Sequence, residues 1–263
     1  MHNEHNLQKF NYDLLLAAPF LLLILAYIFA VFRSNQHYKH WPLYRIIAWK
    51  IGIFSAMTVV IGPLADRIHI DFVAHMVGHL LLGMIAPLLI VLSAPMTLLL
   101  RCIPVNQGRQ ITKLLKRLPV KLLTNPIIAS LLNMGGLWLL YSTKLYSMMH
   151  QNLILYIFIH IHVFIAGYLF TASMIYIDPT PQRKSYIYRA VIFILATASH
   201  GILAKSIYLN PPPTVLAPEA EKGAMLMYYG GDAVDIIIII LFCFQWYKAS
   251  NRKSSLAKKT VKI

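Results

Sequence analysis

Windows of bilayer length, strongly apolar and nearly free of charge, recur along the whole chain, and they constrain the fold more than any other feature. They predict seven membrane spans over residues 12–32, 46–62, 72–93, 126–141, 153–177, 187–209 and 225–247. Inside lipid every backbone N–H and C=O must be satisfied within its own segment, so the spans are expected to be helices. The predicted fold class is therefore all-α: a polytopic membrane bundle of seven transmembrane helices in one domain, 1–263. With 58% of residues hydrophobic, no stretch remains for a separate soluble domain.

The formal net charge of +15 could suggest a nucleic-acid partner, but the distribution of the charge excludes one. Nineteen of the 24 Lys and Arg residues fall in the connectors after spans one, three and five, at the adjoining span ends, or in the tail. The positive-inside rule then places the N-terminus outside and the C-terminus in the cytoplasm. Span one lacks a basic segment before it and is followed by Arg33, so it reads as an uncleaved helix rather than a signal peptide. In the connector 101–124, Ile111, Leu114, Leu115, Leu118 and Leu122 share one helical stripe between cations, which predicts a helix on the inner membrane surface. Residues 248–263 form a basic cytoplasmic tail. Cys102 and Cys243 lie apart, without a Cys-x-x-Cys pair, which sets aside thiol-disulfide chemistry and a thiolate metal cage.

Polar residues inside the spans mark the candidate site, because a titratable group in a bilayer interior is costly unless it has work there. His75 and His79 are one helical turn apart on span three. His160 and His162 on span five point about 200° from each other, so one of the two is expected to reach a shared cavity, and spacing does not choose between them. His200 on span six and Asp232 and Asp235 on span seven fall at a similar depth, giving one titratable layer in the outer half of the membrane. The two aspartates are read either as site residues or as partners of His200 or Lys205 that stabilise the bundle. Neutral imidazole suits copper, zinc or iron, and thioether sulfur adds a preference for Cu(I). Met76 is accordingly a candidate ligand, although methionine is also a common gap-filler in packed helices. Met148-Met149-His150 lies in an external connector. Pro87 should bend span three below its histidines by removing the bond to the Gly83 carbonyl. Asn133 reads as interhelical glue.

These motifs, taken in order, resemble those of a known family. Ala-His75-Met76-Val-Gly-His79-Leu-Leu-Leu with Pro87 and Pro95 comes first, then Asn-Pro126 with Asn133 and Tyr141. His160-Ile-His162-Val-Phe-Ile-Ala-Gly167-Tyr-Leu-Phe follows with Asp178-Pro179, then His200-Gly201 and Gly230-Gly231. The set is similar to the CtaG family of cytochrome c oxidase assembly factors. That resemblance implies a multi-pass protein of the bacterial cytoplasmic membrane that matures a haem-copper oxidase. It also implies oxidase subunits as partners and copper as the metal handled. By position, His75, His79, His162 and His200 match the family histidines. The acidic segment departs from the family pattern: residues 220–223 read Ala-Glu-Lys-Gly, and the glycine pair comes later, beside Asp232.

Two other classes compete with a non-catalytic assembly factor. A b-type haem electron-transfer protein would take axial histidines from spans three and five. A proton-coupled transporter or membrane hydrolase would use the His and Asp groups as a relay. The absence of Gly-x-Ser-x-Gly and His-Glu-x-x-His motifs argues against hydrolase chemistry, and the lack of an internal repeat against a transporter.

Overall fold

The structure, a computed structural model, describes the backbone of residues 2–180 and 182–260 and the side chains of 14–180 and 182–252. Its elements are α1 (His2–His37), α2 (Leu43–Val60), α3 (Pro63–Ile68), α4 (Phe72–Leu92), α5 (Pro95–Cys102), α6 (Val105–Leu115), α7 (Leu118–Leu123), α8 (Pro126–Ser142), α9 (Leu145–Gln151), α10 (Leu153–Met174), α11 (Tyr186–Leu209) and α12 (Ala217–Thr260). Six of these, α1, α2, α4, α10, α11 and α12, are long and apolar enough to cross a membrane. The remaining expected span, the fourth, is α8, a shorter apolar helix of 17 residues. At about 1.5 Å per residue it reaches about 25 Å, slightly less than the hydrocarbon core of a typical bilayer.

The inner helix is α4, with 67% of its span buried against 11% for α1. Its apolar face contributes Phe72, Met76, Leu82, Ala86, Leu88 and Val91 to three of the molecule's core clusters, which explains why the predicted histidine span became the axis of the bundle. The peripheral α1 is fastened by polar ties from aromatic residues. The Tyr27 hydroxyl donates to the Ser93 carbonyl (2.7 Å) and accepts from Trp41 Nε1 (3.0 Å), while Trp49 stacks on Tyr27 and donates to the Leu23 carbonyl.

Both α4 and α8 contain a π-helical turn, over Leu81–Ile85 and Leu131–Gly135. The first has a cause in the sequence: Pro87 has no N–H for the Gly83 carbonyl. That carbonyl swells toward α10, where Gly167 gives it room. A Cβ at Gly167 would strike the Gly83 oxygen and lie 3.2 Å from the Pro87 ring.

At the opposite end from the α3–α4 turn, Asp178 ties the α10–α11 connector to α5. Its carboxylate accepts from Met96 N (3.1 Å), Thr97 N (2.7 Å) and Thr97 Oγ1 (2.6 Å), satisfying donors exposed at the helix start. Nearby, Arg189 is folded inward, only 1% exposed, with its guanidinium over the rings of Tyr176, Tyr186 and Phe242 and an N–H bonded to the Met174 carbonyl.

The connector 101–124 is helical but divided. α6 and α7 meet at Lys116–Arg117, with Pro119 fixing the start of α7. Val105, Leu114, Leu118 and Leu122 are exposed along it, as an apolar stripe facing lipid requires. The helix of the last span runs far past residue 247, to Thr260, and the side chains of tail residues 253–263 lie outside the described residues.

Candidate metal centre

Asp71 caps α4 by accepting from Val73 N (2.8 Å), and the helix it starts carries His75 and His79 inward, 4% and 7% exposed. His75 Nε2 shares a 3.0 Å hydrogen bond with the Tyr141 hydroxyl of α8, while its Nδ1 is buried without a partner. From α10, His160 brings its ring to 6.3 Å from that of His75. Its Nδ1 donates to the Tyr156 carbonyl (2.8 Å), which leaves the lone pair on Nε2. His75, His79, Tyr141 and His160, with Gly78 and Val163, line a small cavity of about 20 Å³.

His79 also borders a second cavity, of about 10 Å³, deeper in the bundle. There its ring lies 6.2 Å from that of His200 on α11, tilted by only 23°. The Nε2 atoms of both rings are buried and unpartnered. Asp235, Asn133, Thr171, Met84 and Met134 complete the polar and thioether lining of that cavity. Both π-helical turns open onto it, since Met84 belongs to one and Asn133 and Met134 to the other. His200 fits because Gly231 lacks a side chain: a Cβ there would stand 2.5 Å from His200 Cε1.

The expected single layer is thus a column of two stacked cavities joined by His79. Of the residues singled out from sequence, His75, His79, His160, His200 and Asp235 come together. His162 does not. It points from α10 toward α8, where its Nε2 donates to the Leu132 carbonyl (3.1 Å) in the π-helical turn and its ring occupies the space a Gly136 side chain would take. Of the two span-five histidines it is therefore His160 that reaches the column, although His162 was the one matched by family position. Asp232, one turn from Asp235, is exposed, and Met76 is fully buried among Phe72, Met149 and Met227 in apolar packing. Among the described residues, no three His, Cys, Asp or Glu side chains are arranged to hold a metal ion. Met84 and Met134 place thioether sulfur beside the two imidazoles in the lining of the deeper cavity. Met84 and Met134 carried no signal distinguishing them from core residues in the sequence, while Tyr141 entered only as part of a motif and Asn133 only as interhelical glue.

Membrane-length helices wrapped around a buried histidine column define a polytopic helical membrane protein. The chain belongs to the family described as cytochrome c oxidase caa3 assembly factor (Caa3_CtaG), which it matches over residues 25–249, in agreement with the resemblance read from its motifs. An uncharacterized protein of Mycobacterium bovis and one of Mycobacterium tuberculosis are each 30% identical over 95% of this chain. An uncharacterized protein of Mycobacterium leprae is 25% identical over 92% of it. The chain spans only 40 to 41% of the length of these relatives. No solved structure matches it.

Proposed function

We propose that the protein is a non-catalytic assembly factor of the bacterial cytoplasmic membrane that binds a copper ion in the His79–His200 cavity and hands it to a haem-copper oxidase subunit docked beside it. One observation carries this reading: His75 Nδ1, His79 Nε2 and His200 Nε2 are all buried without hydrogen-bond partners around the two adjoining cavities. Each unsatisfied group costs about 1–3 kcal/mol, which a bound ligand would offset. Neutral imidazole and thioether donors in the same lining favour Cu(I) over hard cations. With histidine and methionine and without thiolate, the ligands remain exchangeable, as a donor of cargo requires. The cavities have room for an ion or a water, not for a porphyrin, which favours this reading over a b-type haem protein.

The test is a Cu(I) competition titration on the purified protein in nanodiscs, together with oxidase activity in cells. We expect about one copper per chain, lost in a His79→Ala/His200→Ala variant that also lowers oxidase activity. Undiminished copper stoichiometry in that variant would overturn the proposal.

A further inference from the structure

Above the column, outside the spans, lies a polar pocket of about 200 Å³ lined by His69, Asp71, Tyr146, His150, Thr214 and Glu219, among others. It gathers the α3–α4 turn, α9 and the start of α12, three pieces far apart in sequence. Two lines of rings lead inward from it. In one, His150 lies 4.7 Å from Tyr146 and 6.2 Å from His75, whose Nδ1 is unpartnered. In the other, His69 packs against Tyr156 at 4.8 Å, and Tyr156 against His160 at 4.0 Å. Both lines end on the upper cavity.

We infer that this pocket is the loading port of the protein, a capture site for a soft monovalent metal ion that passes it through His150 and His69 to the His75–His160 cavity; this rests on the copper reading above. The chemistry of the lining fits a way-station rather than a store. His150 donates from Nδ1 to the Tyr146 carbonyl (2.9 Å), which leaves the Nε2 lone pair for an incoming ion. Asp71 and Glu219 supply negative charge at the mouth: burial, and then those two carboxylates, push the Tyr146 hydroxyl up. Acidic groups around a recess raise the local concentration of cations and their capture rate. Two carboxylates and two imidazoles spread around an open pocket are too dispersed to retain the ion, consistent with the absence of a closed His, Cys, Asp or Glu cluster among the described residues. Transfer involves no redox step. The ion keeps its charge and exchanges one imidazole for the next.

The experiment follows metal loading by stopped flow in nanodiscs, delivering Cu(I), and Ag(I) as a redox-inert probe, from a weak small-molecule complex. The His69→Ala/His150→Ala/Glu219→Gln variant should load at least about tenfold more slowly, the scale of electrostatic and positional capture, yet reach the wild-type stoichiometry. Glu219→Gln alone, a near-isosteric change at a half-buried position on the first turn of α12, should keep wild-type helicity by circular dichroism and slow loading by a smaller factor that disappears at high salt. Wild-type loading rates in both variants would overturn the inference, and so would loss of stoichiometry in the triple variant, which would make the pocket the store itself. Failure of the deeper copper site appears separately, as unchanged stoichiometry in the His79→Ala/His200→Ala variant.

Discussion

Adjacent glycines on α12 offer a controlled test of the site at the residue scale. A Cβ on Gly230 would meet Leu80 Cδ1 at 2.5 Å, and Leu80 lines neither of the two histidine cavities. A Cβ on Gly231 would meet His200 Cε1 at the same distance, and that ring is enclosed. Gly231→Ala is expected to displace the imidazole and weaken copper binding at least about tenfold, whereas Gly230→Ala overpacks the bundle away from both cavities and leaves affinity within about a factor of two. Both variants should keep wild-type helicity by circular dichroism. Equal affinities in the two would show that His200 holds no metal. Tyr141 gives a second test. Tyr141→Phe removes the hydroxyl that bonds His75 Nε2 and leaves that nitrogen buried without a partner, so thermal stability in detergent should fall by about 1–3 kcal/mol.

What could be read from the sequence at the element scale follows from which physical signals are one-dimensional. Span positions were legible because hydropathy is a property of the local window, and a disturbance of α4 near Gly83 was legible because Pro87 removes one defined hydrogen bond, although it takes the form of a π-helical turn. The choice of His160 over His162 was not legible. It depends on the rotation of α10 about its axis, which is set by partners distant in sequence: the Gly83 carbonyl against Gly167 on one side and the Leu132 carbonyl meeting His162 on the other. The π-helical turn in α8 left no signal either, because no proline marks it. Asp178 shows the same limit. It could be matched as part of a motif, but its task, capping α5 from a connector 81 residues further along the chain, exists only in three dimensions. Asp178→Ala leaves the Met96 and Thr97 donors unpaired and is expected to cost about 1–2 kcal/mol, like the loss of a strong helix cap. The readout is the thermal midpoint of the detergent-extracted protein. Asp178→Asn, which keeps an acceptor, should recover part of the loss.

At the scale of the whole molecule, the proposed port and the histidine column have a direction only if the bundle sits one way in the membrane. The described residues place the acidic, histidine-bearing pocket at one end of the bundle, and the cationic α6–α7 connector at the other. The asymmetry of Lys and Arg predicts that the connector end is cytoplasmic, so the pocket should open outward, toward donors outside the cell. Cysteine accessibility decides it. In a background with Cys102 and Cys243 replaced by Ser, Lys144→Cys beside α9 and Gln107→Cys on α6 both occupy exposed positions. In intact cells a membrane-impermeant maleimide is expected to label the first and spare the second, and permeabilised cells should label both. The reverse pattern would turn the pocket toward the cytoplasm. Copper would then have to be captured from the side on which the cell keeps it chelated, and the column would be better suited to export than to delivery.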